Sequence, residues 1–135
     1  MSKKGKALNI RGSLLVGVIG DEATVTGFLL TGIGERNKNG DANFFIVAKD
    51  TPLSEIDTAF MKMLKNPEMG IIMISQNVAE MIRNRIVEHL EVIPTIMEIP
   101  SKDVPYDPTK DSVLVKAASN LFGREIGMQK LQQLD

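Results

Sequence analysis

Apolar positions along the chain fall into alternating runs and stripes. Leu14-Leu15-Val16-Gly17-Val18-Ile19 is a continuous apolar run closed by Gly20-Asp21, the pattern of a strand buried on both faces. The stripe Val25, Phe28, Leu29, Gly32 and Ile33 then has the i, i+3, i+4 spacing of a helix, with Asp21 placed to cap its start and Gly34 to end it. Gly27 inside that helix weakens it, which a close helix–sheet approach would explain. A second strand is predicted at Phe44–Ala48, followed by Thr51-Pro52 as cap and first-turn proline of a helix. Ile56, Ala59, Phe60, Met63 and Leu64 form that helix's apolar stripe, and Asn66-Pro67 ends it. Gly70–Ile74 is the third strand. The third helix starts near Ser75 and sets Val78, Ile82, Ile86 and Leu90 on one face. Thr95–Ile99 is the fourth strand, closed by Pro100.

Strands and helices alternating at this spacing build βαβ units with parallel strands. The predicted fold is α/β: a four-stranded parallel sheet with helices on both faces, a Rossmann-like or receiver-like layer. Beyond Pro100 the pattern changes. Residues 101–108 carry Pro105 and Pro108 among charges and read as a surface linker. From Thr109 the chain is helical again, with Leu114, Ala117, Leu121, Met128 and Leu131 approximating an a/d repeat. That predicts an extended C-terminal helix over 109–135, interrupted in its seam by Arg124 and weakened at Gly123 and Gly127. These glycines fit either a bend or a close helix approach. The expected organisation is a polar tail over 1–13, an α/β head over 14–100, the linker, and a C-terminal helical segment. Such a helix is marginal alone in water, so it packs on its own domain or on a partner.

Composition narrows the function. The chain has 135 residues, 43% of them hydrophobic and 4% aromatic, which suits one domain with an aliphatic core. Its eight methionines fit gap-filling in that core. A net charge of −1 argues against a field that gathers nucleic acid or anionic membrane. The basic cluster Lys3, Lys4 and Lys6 is too short to change this and reads as a solvated tail. The absence of cysteine excludes disulfides, thiolate metal sites and a cysteine nucleophile. No apolar run approaches the ~20 residues that span a bilayer, and residues 1–11 do not resemble a signal peptide. If the chain serves a membrane, it does so through another protein.

Candidate chemistry is thin. Gly32-Ile33-Gly34 lies at a helix end and lacks the third glycine of a dinucleotide loop. No phosphate-binding loop with its Gly-Lys-Ser/Thr ending occurs. His89, the one histidine, closes the third helix, where a cation is favourable in itself, and no nucleophile elbow accompanies it. The alternative with most chemical content is a stand-alone receiver-like signalling domain, with Asp21 and Glu22 after the first strand and Lys102 after a later one. A receiver needs a phosphoacceptor aspartate ending its third strand, where this chain has Ser75-Gln76, and it needs five strands. No catalytic residue, cofactor or metal ligand is expected.

One resemblance spans most of the chain. Gly20-Asp21-Glu22-Ala23-Thr24-Val25-Thr26-Gly27-Phe28-Leu29-Leu30 is similar to the opening motif of the F subunit of eukaryotic V-type proton-translocating ATPases (vacuolar ATPases). The likeness continues through Gly32-Ile33-Gly34-Glu35, Asn37-Lys38-Asn39, Asn43-Phe44 and Lys49-Asp50-Thr51. It resumes at Gly70-Ile71-Ile72, Ile74-Ser75-Gln76, Ala79-Glu80-Met81-Ile82-Arg83 and Ile93-Pro94. Glu98-Ile99-Pro100-Ser101-Lys102, Pro105-Tyr106-Asp107 and Lys110-Asp111-Ser112-Val113-Leu114 complete it. The resemblance implies a non-catalytic rotor component of the central stalk whose C-terminal helix lies along the coiled coil of the stalk's D subunit. The catalytic A and B subunits and the connector to the membrane ring are the further partners implied. Leu114, Ala117, Leu121, Met128 and Leu131 are then the partner-facing positions. The implied role is coupling ATP hydrolysis to proton transport, which acidifies endomembrane compartments. The implied location is the cytoplasmic face of vacuolar and endosomal membranes, or the cytosol when the complex is disassembled.

Overall fold

The first apolar run forms β1, Leu15–Gly20, and Asp21 caps α1, Glu22–Leu30, by accepting from the Thr24 backbone N–H at 2.9 Å. The computed structural model describes residues 14–36 and 40–133. After α1 come β2 (Phe44–Ile46), α2 (Leu53–Lys65) and β3 (Met69–Ser75). They are followed by α3 (Gln76–Met81), α4 (Arg83–Glu88), β4 (Thr95–Ile99), α5 (Ser112–Phe122) and α6 (Arg124–Gln132). The strands make one four-stranded, wholly parallel sheet in the order β2-β1-β3-β4. The tail predicted over 1–13 and the motif residues Asn37, Lys38 and Asn39 lie outside the described residues.

Strand register sorts the side chains into two faces, because neighbours in a parallel ladder point the same way. Phe45, Ile19, Ile74 and Glu98 share one row, and Ile72 and Ile96 lie beside it on the same face. Ile56, Phe60 and Met63 of α2, with Val78, Ala79, Ile82 and Ile86 of the α3–α4 segment, close over this face as the main core. The opposite row runs Phe44, Val18, Met73, Met97. Val18 and Val25 of α1 are wholly buried on that side, whereas Met97 at the β4 end stays 46% exposed. Gly34 is required where it stands: its φ is +86°, and a Cβ there would press at 3.2 Å on Leu29, Phe44 and Val18.

Several local expectations give way to tertiary geometry. The third helix is two short ones, broken at Ile82 with φ −119° and ψ 29°. The break keeps Val78, Ile82 and Ile86 in the core, but the helix ends at Glu88 and Leu90 beyond it is 76% exposed. Thr51 does not cap α2. Its hydroxyl accepts from the Ala48 N–H at 2.8 Å to close the turn, and Pro52 occupies the cap position. Nothing approaches within 4 Å of where a Cβ on Gly27 would stand, so close sheet packing is not its reason. The single extended C-terminal helix is replaced by α5 and α6. Gly123, at φ +81° and ψ 160°, breaks the helix, because a residue with positive φ cannot continue an α-helical ladder.

Candidate partner-binding surface

The polar residues that the apolar pattern passed over determine how the C-terminal segment is attached. Glu98 points from β4 into the core row and its side chain is wholly buried, so an isolated charge there would be costly. Arg83 answers it with two hydrogen bonds, at 2.6 Å and 2.9 Å, in the fork geometry that suits a carboxylate. This pairing raises the Arg83 pKa above the usual arginine value. Arg83 also reaches Ser112 Oγ at 3.4 Å, the first residue of α5. Gln76, buried at the head of α3, donates to Glu98 at 3.2 Å and to the Asp107 carbonyl at 2.8 Å, and accepts from the Asp107 N–H at 2.7 Å.

The linker thus crosses the carboxyl ends of the strands, where open α/β sheets usually hold ligands. Lys102 lies near enough to Asp21 to favour its carboxylate, while Asp107 is clamped by Gln76. Pro108 is buried. Asp111, also buried, caps α5 by accepting from the N–H groups of Val113 and Leu114, at 3.0 Å and 3.4 Å. The Tyr106 hydroxyl donates to its other oxygen. Burial, then this bond, push the Tyr106 pKa well above the usual phenol value. The signal for this knot is legible in retrospect. Glu98 sits alone among apolar residues in Thr95–Ile99, and Arg83 interrupts an apolar helix face.

α5 and α6 pack on each other as a hairpin. Gly127 makes this possible: a Cβ there would lie 2.8 Å from the Ala118 carbonyl carbon and oxygen. Both glycine readings are therefore realised, a bend at Gly123 and a close approach at Gly127. The hairpin divides the predicted partner-facing positions. Leu131 is 5% exposed inside it and Leu121 is 75% exposed outside. Ala117 faces solvent, while Leu114 and Met128 are half-buried. The a/d seam is not one continuous face, because the turn at Gly123 reverses the chain halfway along it. Exposed apolar residues that the repeat missed are Val113, Phe122 and Ile126. Lys130 stands 5.9 Å from the Phe122 ring. A groove of about 610 Å³ separates α5 from the α4–β4 region, with Ile86, Leu90, Val92, Ile96 and Val113 in its walls.

The receiver-like chemistry finds no matching geometry. Both Asp21 carboxylate oxygens are engaged by Thr24, at 2.9 Å and 2.8 Å. Ser75, at the phosphoacceptor place, is fully buried, and a Cβ on Gly20 would overlap its hydroxyl. Among the described residues no helix is long and apolar enough to cross a membrane.

Comparison with known proteins agrees with the sequence motifs. A family profile described as ATP synthase (F/14-kDa) subunit matches residues 16–116. The human V-type proton ATPase F subunit is 53% identical over 103 residues, covering 76% of this chain and 87% of its own length. This chain belongs to the V-type ATPase F-subunit family. The Xenopus laevis member is 56% identical over 108 residues, 80% of this chain and 97% of that protein. The Dictyostelium discoideum member is 54% identical over 102 residues, 76% and 85%. A solved V-type ATP synthase F subunit from Archaeoglobus fulgidus is 26% identical, with a TM-score of 0.48, over 65% of this chain and 99% of that one. Within this member of the F-subunit family the profile covers the sheet from the second residue of β1, the linker and the polar knot, and closes inside α5.

Proposed function

We propose that the chain is a non-catalytic central-stalk component of a V-type proton ATPase. It pairs with the D subunit of the stalk and helps couple ATP hydrolysis to proton transport, so acidifying endomembrane compartments. The α/β head over 14–100 sits at the foot of the stalk, and the segment over 109–135, joined by the linker at 101–108, makes the main contact with the D subunit. The catalytic A and B subunits and the membrane-ring connector are its further neighbours. It works at the cytoplasmic face of vacuolar and endosomal membranes as part of a peripheral complex, and is cytosolic when disassembled. Family membership supplies the setting. The observation that carries the contact is the hairpin's exposed apolar residues on either side of the Gly123 turn, Leu121 at 75% and Phe122 at 47% before it and Ile126 at 53% after it. Grouped exposed apolar residues on a small helical element mark a protein contact.

Of the residues expected from the repeat, Leu121 is the one most available to a partner, with Ala117 beside it and Leu114 and Met128 at the margin. Leu131, buried between α5 and α6, supports the hairpin instead. The test is capture by separately expressed D subunit. Leu121→Asp changes the stability of the free chain by no more than ~0.5 kcal/mol, since the side chain is already in water. It weakens capture by roughly 30-fold or more if it desolvates a charge at the centre of the contact. Full-strength capture of the variant, or of a chain ending at Pro108, would overturn the assignment of this surface.

A further inference from the structure

The linker that leads to the hairpin is anchored at several points by side chains of the layer. The Gln76 carboxamide pairs with both polar groups of Asp107's backbone, at 2.8 Å and 2.7 Å, as a neighbouring strand would. The same carboxamide reaches Glu98 at 3.2 Å, and Arg83 joins Glu98 to Ser112. Tyr106 holds Asp111, whose other oxygen caps α5. Glu80 meets Lys110 at 3.3 Å on the outside of the same joint. α5 and α6 meanwhile pack chiefly on each other. The angle at which the hairpin departs is therefore set by this joint more than by any broad apolar contact with the sheet.

We propose that Gln76, Arg83, Glu98, Tyr106 and Asp111 form a latch that sets the direction in which the α5–α6 hairpin leaves the layer. They are positioning residues: they aim the surface that meets the D subunit without belonging to it. The functional purpose rests on the stalk reading above, whereas the latch itself is a property of the free chain. Gln76, Glu98 and Asp111 are buried, Arg83 and Tyr106 are half-buried, and all five are hydrogen-bonded, so they favour one geometry strongly. Opening the joint would strip the buried Gln76 carboxamide of both its Asp107 partners, which makes departure from this geometry costly. Gln76 is the element that can be removed most cleanly. A leucine fills similar space, and the Asp107 backbone it releases lies in a linker that water can reach.

The chain contains no cysteine, so labels can be placed at Glu55→Cys on α2 and Gln129→Cys on α6, both exposed positions. Pulsed electron spin resonance on the full chain then reads the distance between layer and hairpin directly. The labelled parent gives a single narrow distance distribution. Adding Gln76→Leu gives about a twofold broadening or a second distance, while far-UV circular dichroism stays unchanged. Tyr106→Phe, which removes one hydroxyl and little else, gives a smaller broadening of the same kind and decides the matter if Gln76→Leu does not fold. A distribution as narrow as the parent's in the folded variant overturns the latch. The D subunit is absent from this measurement, so failure of the stalk reading would appear separately, as loss of capture of the parent chain.

Discussion

In the α/β layer, Ile19, Ile56, Phe60, Ile72 and Ile74 are wholly removed from solvent. In the hairpin the buried residues are Ala118, Gly127 and Leu131, while Leu121, Phe122 and Ile126 face water. Fully burying a large aliphatic or aromatic side chain contributes about 1.5–3 kcal/mol, so the layer holds itself together and the hairpin scarcely does. The hairpin depends on a close backbone approach at Gly127, on a cap at Asp111, and on the polar anchor to Gln76 and Glu98. A stable body and a lightly held projection with spare apolar surface are what a stalk component needs if its contact energy is to come from another chain. The dependence should also run one way, with the hairpin needing the layer more than the layer needs the hairpin.

The hardest test of that asymmetry is Phe60→Ala. Phe60 is fully buried against the sheet, and emptying such a site costs about 3–5 kcal/mol, a large share of the 5–15 kcal/mol typical of a domain. Urea unfolding followed by circular dichroism should show stability falling by that amount. Hydrogen exchange should show the hairpin losing protection along with the layer, since its anchors stand on β4 and α3. A hairpin that kept its protection while the layer melted would show that the two regions are independent.

The converse is Gly127→Val. The added side chain must displace the Ala118 carbonyl, 2.8 Å from its Cβ, and overpacking of this kind costs about 1–3 kcal/mol. The effect should be confined to α5 and α6, whose amides exchange faster, while those of β1 and β3 keep their rates. Slower exchange, or loss spread evenly through the sheet, would mean that the hairpin is built into the core after all.

The same division marks where sequence pattern was informative. β4 runs Thr95–Ile99, as its boundaries in sequence suggest, and α2 buries Ile56, Phe60 and Met63 from the expected stripe. Period-2 and period-3.6 patterns report burial, and burial dominates the layer. The C-terminal repeat was legible as helix but not as one helix. A single glycine at φ +81° reverses the chain, and periodicity carries no information about φ. The break at Ile82 was hidden for a related reason: Val78, Ile82 and Ile86 stay buried on either side of it, so the stripe survives the change of direction. The polar joint was missed because a lone charge such as Glu98 in an apolar strand is visible in the sequence, but its partner is not. The joint's meaning lies in pairs 15 and 31 positions apart in sequence, Arg83 with Glu98 and Gln76 with Asp107.

The gentlest probe of the comparison is acid. Burial pushes the Asp21 carboxyl up, but the hydrogen bonds from the Thr24 N–H and hydroxyl and the nearby Lys102 cation outweigh it, holding the pKa below its ordinary value of 3.8. Hydrogen bonds from Thr109 do the same for Asp107, lowering it from 3.8. A depressed folded-state pKa means that the unfolded chain takes up the proton first as pH falls. Each carboxylate's contribution is therefore complete only well above the ordinary value of 3.8, and is lost as pH drops through the lower folded value. Asp21 belongs to the layer and Asp107 to the strap that holds the hairpin, so the two losses should appear in different places. Asp21→Asn keeps an acceptor for Thr24 but cannot titrate. It should flatten the acid limb of the stability curve below pH of about 5, by less than ~1 kcal/mol because water screens this partly exposed cap. Asp107→Asn should leave that limb alone and remove instead the acid-induced rise in exchange at the Thr109 amide and the first turn of α5. If both variants altered the layer alike, the strap would be part of the layer's own cooperative unit, and the hairpin would begin only at Asp111.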